Sequence, residues 1–559
     1  MKVVGGNVAE GVQVSELIAA VSLAVDIGMA QPLETGLAIC LVAVELARRL
    51  GYGPDLMQRT FRLALLQHIG CTVAAAPVAG IMGDEMVMRA HAATLDFADR
   101  AEMFRFLLAH VARVNQPLGR PGALARAAAG GKRLTGAMAD VCEGAVMLGE
   151  RLGCGPDSLR DVGCVYEYWD GKGFPHGAAG EEITEPARAV QVAWLAVAAH
   201  HAGGVAAAAD LVGQRAGHSL APPPAAAFLA DPEGLLGPVE TPVSLWEAVI
   251  AAEPAPALPA GPAEVDRMLR AVADFVDVKS PVLAGHSSGV AALAEAAAVL
   301  MGLPDAEVRT VRRAGWLHDI GRVGVSSAVW GHRGPLSAHQ REQVRLHPYH
   351  TSRVLDRTPY LRRLGEVAAA HHERMDGSGY FRGARAAQLP PTARLLAAAD
   401  VYHAMTEPRP YRPARSAAEA AAEVCAQHEC VHEETDESLE LAPSSVGDGR
   451  AHADVDRTGV AMEQDVEGGK QRHEQRRAFS AAQRPDPGGE LGRQRERFAT
   501  ATEGLHRRAR SIARQLERLR ASVQLLPPVR ELFLQDSALE VLALPHGEVG
   551  VLKRQLRKC

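Results

Sequence analysis

The stretch HHERMDGSGY, residues 371–380, carries the strongest functional signal in the chain. Adjacent histidines followed by carboxylates suit a metal site better than a hydrophobic core, because divalent transition metals bind neutral imidazoles and carboxylates. The glycines allow the backbone to approach a bound group closely. We therefore interpret residues 371–380 as a metal-binding turn.

Further polar clusters lie on either side of this turn. His318 and Asp319 are adjacent and precede Arg322, while Asp400 lies on a later apolar segment that leads into the sequence RPYR, residues 409–412. A pair of metal ions needs about six to eight His, Asp or Glu ligands from several helices. The chain offers seven in order: His286, His318, Asp319, His347, His371, His372 and Asp400.

Together these clusters resemble the HD-GYP family of metal-dependent phosphohydrolases that cleave cyclic di-GMP, over roughly residues 273–424. The resemblance implies that all seven residues are metal ligands. It also implies that Asp319 bridges two ions, since a carboxylate has two oxygens and one imidazole nitrogen cannot bridge. The catalytic residues would be Asp319, His318 and Arg322.

The resemblance also implies substrate contacts at Gly379, Tyr380, Arg409 and Arg412, although a structural ion pair is an equal alternative for the two arginines. Phe381 replaces the proline of the family's Gly-Tyr-Pro turn, so a looser turn is expected. Arg322 replaces a lysine; it keeps the charge and adds a fork for phosphate, but it is a poor proton donor.

Two divalent ions, iron or manganese, are the expected cofactors. Some family members have a glutamate one helical turn before the first histidine, but Val282 stands at that position here, which favours two ions over three. His350 and His403 match no ligand position of the family and are interpreted as ordinary polar residues. The cluster Cys425, His428, Cys430 and His432 has spacing too tight for a zinc finger.

Composition narrows the class of protein. The chain has 559 residues, 4% aromatic content, a net charge of −6 and a pI of about 6.4, which argues against binding to a nucleic acid polymer. We find no run of 18 apolar residues and no signal peptide, so no membrane association is expected. Eight cysteines without a CxxC pair indicate reduced thiols and a cytoplasmic location.

An internal repeat links the two halves. Residues 35–71 align with 286–322 at a constant offset of 251, and the region from Asp170 aligns with that from Asp376 at an offset of 206, so the first copy carries 45 extra residues. At the ligand positions of the second copy, the first copy has Thr35, Gln67, His68, Val165, Tyr166 and Trp194. The first copy is therefore predicted to be a degenerate domain without a metal centre.

The predicted fold is all-α, with two tandem HD-type helical bundles. We expect a degenerate domain over 1–205, a proline-rich connector over 206–262 with one short helix, a catalytic domain over 263–424 and a poorly ordered polar tail over 425–559. A helix is expected near 505–525. The change in composition after residue 424 is consistent with disorder or with a change of reading frame in the gene.

The leading functional interpretation is a bacterial signalling phosphodiesterase that converts cyclic di-GMP to pGpG or GMP. Its first domain would regulate the second, form a homodimer or bind a signalling partner. One alternative is an HD phosphohydrolase acting on another nucleotide or phosphoester, because fold does not determine substrate. Another is a sensor or interaction protein that binds a cyclic dinucleotide without turnover.

Overall fold

The fold was obtained as a computed structural model, which describes residues 12–114, 131–240, 244–254 and 259–424. The described residues are mostly helical and contain isolated β-bridges but no β-strand, as predicted. The predicted tail of 425–559 and its helix near 505–525 lie outside these ranges. The chain divides into two units; all helices named below belong to the first, which ends at Arg415.

The first half contains twelve helices among the described residues. They are α1 Val14–Gly28, α2 Thr35–Arg49, α3 Pro54–Leu66, α4 Ala75–Met82, α5 Glu85–Ala92, α6 Arg100–Val114, α7 Gly131–Arg151, α8 Pro156–Gly163, α9 Glu185–Arg215, α10 Pro222–Leu229, α11 Pro232–Glu240 and α12 Leu245–Ala251.

The second half begins with α13, and its described residues between Pro262 and Thr406 contain eight α-helices. They are α13 Pro262–Asp277, α14 His286–Leu300, α15 Asp305–Leu317, α16 Ser327–Trp330, α17 Ala338–Arg345, α18 His347–Leu355, α19 Pro359–Ala368 and α20 Pro391–Thr406. A short 3₁₀ turn, Ile320–Gly324, follows α15, as Ile69–Thr72 follows α3.

The helix boundaries reproduce the internal repeat. Helices α2 and α14 begin 251 residues apart, as do α3 and α15, and α9 and α20 begin 206 residues apart. Each copy packs its first long pair of helices together, α2 on α3 and α14 on α15. The 45 extra residues of the first copy fall in the stretch that contains α4, α5 and α6.

Two equivalent glycines show how closely the backbones approach in each copy. A Cβ on Gly70 would lie 1.9 Å from the carbonyl oxygen of Val141, and a Cβ on Gly321 would lie 1.9 Å from that of His347. Only glycine fits such a contact. In the second copy it brings the turn after α15 against the start of α18, and so places His347 beside the His318-Asp319 pair.

The region predicted as an irregular connector is more helical than expected. The structure has α10, α11 and α12 between residues 222 and 251, and α9 continues past residue 205 to Arg215. Proline breaks a helix only in its interior. Pro222 and Pro232 instead occupy the first turns of their helices, where a missing N–H removes no hydrogen bond. The domain boundaries at 205 and 262 stay predictions.

Helix α9 is long and apolar enough to cross a membrane by length and composition alone. Its apolar residues Ala187, Val190 and Val192 are fully buried against α2 and α3, and the backbone leaves helical geometry at Gly203 and Gly204. Burial therefore accounts for the apolar residues of the first part of this helix, whereas only 39% of its most apolar 18-residue stretch is buried.

The close contact at Gly70 predicts a large effect from one methyl group. We expect Gly70→Ala to lower the free energy of unfolding by about 2 kcal/mol or more, because the backbones must separate. Gly80→Ala, where a Cβ would meet no described atom within 4 Å, is the matched control and should be neutral or stabilising. Chemical denaturation of both variants measures this, and equal stability would contradict the packing described.

Candidate metal centre

The His318-Asp319 pair lies at the end of α15 and is completely buried. His318 follows the last residue of the helix, and Asp319 begins the turn Ile320–Gly324. The end of this helix therefore places an imidazole and a carboxylate side by side in the protein interior. Burial of two ionisable groups at one point is unfavourable unless a partner compensates their charge.

The Asp319 carboxylate lies between two sets of imidazole nitrogens. Its Oδ2 is 3.0 Å from Nε2 of His318 and 3.7 Å from Nε2 of His286. Its Oδ1 is 3.4 Å from Nε2 of His371 and 3.5 Å from Nε2 of His347. Each oxygen thus faces its own pair of nitrogens, which is the arrangement expected of a carboxylate that bridges two metal ions.

The remaining two predicted ligands join these two sets. Asp400 on α20 lies 3.1 Å from Nε2 of His286 and 3.7 Å from that of His318, both measured to its Oδ1. His372 groups with His347 and His371. All seven residues predicted as ligands from the sequence therefore converge, and their role as ligands is a proposal that this geometry supports.

Three of the histidines are oriented by backbone carbonyls. Nδ1 of His318 lies 2.8 Å from the oxygen of Gly315, and the equivalent distances are 2.6 Å from His347 to Val344 and 2.7 Å from His371 to Ala368. Nδ1–H donates to the carbonyl in each case, so the Nε2 lone pair points to the centre. Metal-ligating histidines are commonly fixed in this way.

Buried polar atoms that lack a hydrogen-bond partner indicate that a cation would fit between the donor atoms of this cluster. Among the described residues, neither Nε2 of His318 nor either oxygen of Asp319 has a hydrogen bond of acceptable geometry. A buried polar atom without a partner is costly, and a cation would satisfy all three. Although burial opposes it, Asp319 and Asp400 raise the pKa of His318 to about 10, so this side of the site attracts positive charge.

The other face of His286 meets two residues that the sequence did not assign. Its Nδ1 is 3.0 Å from Nδ1 of His403 and 3.2 Å from Oε2 of Glu407. Glu407 accepts the Nδ1–H and so directs Nε2 of His286 toward Asp400. His403 follows Asp400 by three residues on α20, and that helical spacing was the available signal.

Arg322 lies beside the carboxylate that both donor sets share. Its Nη1 is 2.7 Å from Oδ2 of Asp319, and its guanidinium stacks over the ring of Trp330 at 5.0 Å from the centroid. The indole fixes the plane of the guanidinium next to the metal-binding atoms. Sequence reasoning found Arg322 but missed Trp330, which nothing in its local sequence distinguishes from a core residue.

The turn after His372 places Tyr380 over the site. A Cβ on Gly379 would lie 2.4 Å from the backbone nitrogen of Arg374, so this position requires glycine. Tyr380 donates its N–H to the carbonyl of His372 at 3.1 Å and stacks on its ring at 4.9 Å. The guanidinium of Arg345 covers the tyrosine ring at 5.1 Å from its centroid.

The two arginines of the RPYR sequence occupy different environments. Arg409 contacts the metal centre, with Nη2 3.0 Å from Oε2 of Glu407 and 3.5 Å from Nδ1 of His286. Arg412 instead donates to backbone carbonyls, including that of Ala404 at 2.5 Å. This geometry favours a structural role for Arg412 through backbone carbonyls, whereas the ion pair considered from the sequence is made by Arg409 with Glu407.

Comparison with known proteins identifies the second half. Residues 270–432 match the family model described as HD domain. The chain is 40% identical over 136 residues to the cyclic di-GMP phosphodiesterase PA4108 of Pseudomonas aeruginosa, covering 24% of this chain and 33% of that protein. The sequence of this region is therefore similar to that of HD domains.

The likeness extends across both halves in one relative. The 3'3'-cGAMP-specific phosphodiesterase 3 of Vibrio cholerae is 26% identical over 406 residues, which cover 72% of this chain and 88% of that protein. The crystal structure of the cyclic GMP-AMP specific phosphodiesterase V-cGAP3 from V. cholerae matches with a TM-score of 0.52 and 21% identity, over 75% of this chain and 98% of that chain. At this identity the structural match shows the fold.

The bridging position of Asp319 predicts the outcome of its removal. We expect Asp319→Ala to lose most of the metal from both sets of donors, because one oxygen serves each set. Elemental analysis of anaerobically purified protein should find about two ions per chain in the wild type. His332→Ala, which changes an exposed histidine outside the cluster, is the control and should retain them. Full metal content in Asp319→Ala would contradict the bridging role.

Proposed function

We propose that this metal-dependent phosphodiesterase, which is built on an HD domain and acts on cyclic dinucleotides, hydrolyses cyclic di-GMP to pGpG. The observation that carries the proposal is the Asp319 carboxylate between two sets of imidazoles, His286 with His318 and His347 with His371. Two cations held there would activate a water molecule and neutralise the charge of the scissile phosphate.

The residues around this centre have distinct tasks. Arg322 carries a fixed positive charge beside Asp319 and presents a planar fork that suits phosphate oxygens. Trp330 and Asp319 hold its guanidinium in place, so binding a phosphate costs little ordering of the side chain. Arg322 is a phosphate-binding residue rather than a proton donor, because its pKa is too high for proton transfer at neutral pH.

The second contact region is the turn that carries Tyr380. Its aromatic ring lies between His372 and Arg345 at the edge of the metal centre. A guanine base can stack on such a ring or on the guanidinium beside it. Arg409, on the opposite side near His286, would meet the phosphate that is not cleaved. These contacts support a substrate with two phosphates and a flat base.

The donor set favours a borderline transition metal. Imidazole nitrogens dominate both sets, and carboxylate oxygens complete them, which suits iron or manganese. We propose iron or manganese on these grounds, a cytoplasmic location, and a regulatory, dimerising or partner-binding role for the first half.

A second candidate substrate is 3'3'-cGAMP. It is favoured by the match of 406 residues to a 3'3'-cGAMP-specific phosphodiesterase, which includes the first half of this chain. The two substrates differ in one base, so the phosphates and the metal centre would be used in the same way. Cyclic di-GMP remains the first choice because the HD domain itself is 40% identical to a cyclic di-GMP phosphodiesterase over 136 residues.

Turnover assays with both dinucleotides test the choice of substrate. We expect kcat/KM for cyclic di-GMP to exceed that for 3'3'-cGAMP, with pGpG as the first product. We expect Asp319→Ala to have no detectable activity on either substrate, since its cations are lost. Higher kcat/KM for 3'3'-cGAMP would replace the first candidate by the second, and full activity of Asp319→Ala would refute the mechanism.

The role of Arg322 can be tested separately from the metals. We expect Arg322→Gln to retain its metal content and to lose about 100-fold or more in kcat/KM, since it removes a charged donor to the phosphate. Arg322→Lys should recover part of the loss, because the charge returns without the fork. Arg333→Gln, at an exposed position of the same half, should be unaffected.

A further inference from the structure

The first half contains a cavity of about 170 Å³ at the position that the metal centre occupies in the second half. The repeat aligns the ligands His286, His318, Asp319, His372 and Asp400 with Thr35, Gln67, His68, Tyr166 and Trp194. All five of these replacements line the cavity. The degenerate copy has therefore kept a space at its former centre rather than filling it with a packed core.

The extra residues of the first copy form one wall of this cavity. Helices α5 and α6 and the segment between them have no counterpart among the described residues of the second copy, whereas α4 begins close to the position equivalent to the start of α16. Together with α4 they contribute the lining residues Val78, Met82, Met88, Arg89, Phe97 and Phe106. Side chains of this type make an apolar and adaptable wall. The insertion has thus changed a polar centre into a largely apolar cavity.

Two buried side chains that line this cavity have polar atoms without a hydrogen-bond partner among the described residues. Both amide atoms of Gln67, which is 4% exposed, lack a hydrogen bond within the ranges that the structure describes. Asp26 accepts from the backbone N–H of Gly36 at 2.9 Å through Oδ1, but its Oδ2 has no partner among the same residues. A buried amide with an unused donor and an unused acceptor is costly unless something else supplies both.

The second copy shows what the first has lost at this point. Asp277, the equivalent of Asp26, accepts from the N–H of Ser287 at 2.9 Å and from its hydroxyl at 2.7 Å. Gly36 replaces that serine in the first copy and has no hydroxyl to offer. The backbone contact has been kept, while the side-chain donor has been removed and one carboxyl oxygen is free.

The remaining polar groups of the cavity are uncharged or already form hydrogen bonds with other groups of the protein. Nδ1 of His68 lies 2.8 Å from the hydroxyl of Tyr166, and its ring packs edge-on against Trp194 at 4.8 Å. Burial and the nearby Arg89 lower the pKa of His68 to about 3, so it is neutral. Arg89 donates to the carbonyls of Gly28 and Cys71.

We propose that this cavity binds a small, neutral, planar molecule with an amide or lactam edge, such as a single nucleobase, and that the bound molecule regulates the second half. The amide edge would pair with both unused atoms of Gln67. A carboxylate would satisfy only its nitrogen and would repel its oxygen. The volume is close to that of an apolar cavity of about 150 Å³ that holds benzene, so one ring fits.

Helix α5 connects this site to the metal centre. Met88 and Arg89 line the cavity, and Glu85 on the same helix is fully buried. Glu85 accepts from the hydroxyl of Ser326 at 2.8 Å and from the N–H of Ser327 at 2.7 Å, both in the second half.

Glu85 also lies 3.5 Å from Lys279, whose ammonium donates to the carbonyl of Val323. Val323 follows Arg322 directly in the chain. A shift of α5 on binding would therefore move the turn that carries Arg322.

Calorimetry with benzamide tests the binding site on the full chain. Benzamide is a planar ring with an amide edge, and benzoate is its charged counterpart. We expect one benzamide per chain with a dissociation constant of about 1 mM or tighter, and at least tenfold weaker binding of benzoate. Gln67→Met should remove this preference, while Gln214→Met, at an exposed position of α9, should keep it.

Absence of benzamide binding to the wild type, equal binding of benzoate, or an unchanged preference in Gln67→Met would overturn the proposed site. These readouts need no turnover, so they are independent of the proposed activity.

Turnover of the cyclic dinucleotide tests the regulatory part. At saturating benzamide we expect kcat/KM of the wild type to change by about fivefold or more. Glu85→Gln should bind benzamide normally and show no such change, because the contact to Ser326 and Ser327 is weakened. The regulatory role would be overturned if benzamide left kcat/KM of the wild type unchanged. It would also be overturned if benzamide changed kcat/KM of Glu85→Gln as much as that of the wild type.

Discussion

The burial of the Asp319 carboxylate determines which side chains and helix ends can lie next to it. Its side chain is fully buried, yet its charge is retained, because Arg322 and the neighbouring His318 lower its pKa although burial opposes them. An anion in the interior is tolerated only where cations surround it. Four helices end or begin near this point and supply the imidazoles around the carboxylate, and the backbone contact at Gly321 holds two of these helices together. The fold of the second half can be understood as a scaffold for compensating one charge.

The first half shows that the scaffold does not depend on that charge. Its α2, α3 and α9 begin at positions equivalent to the starts of α14, α15 and α20. Its Gly70 makes the same backbone contact as Gly321, and its Asp26 keeps the backbone hydrogen bond of Asp277. What has changed is the content of the centre, where Trp194 and Tyr166 stand in place of ligands. Backbone packing and metal chemistry are therefore separable in this fold, which is why one copy can lose the chemistry and remain folded.

The seven residues that the sequence predicted as ligands converge in the structure, and each is a residue type with few other uses when buried. His318 and Asp319 are adjacent, and the ordered appearance of the others indicated a shared site. Glu407 was missed because its contact with Nδ1 of His286 is created only by the folded loop. Trp330 was missed because its contact with the guanidinium of Arg322 is also created only by the fold. The proline-rich region was misread because proline at a first turn and proline inside a helix look alike in sequence.

The insertion of the first copy explains why the two halves stay together. Residues of α5 line the cavity of one half, while Glu85 on the same helix satisfies buried donors of the other. Burial lowers the pKa of Lys279 to about 8 and Glu85 opposes this shift, so the pair depends on close contact between the halves. A buried ion pair adds little stability, but separating its partners is costly. The halves therefore have strongly preferred relative positions. Binding of a molecule in the cavity of the first half would move the turn that carries Arg322.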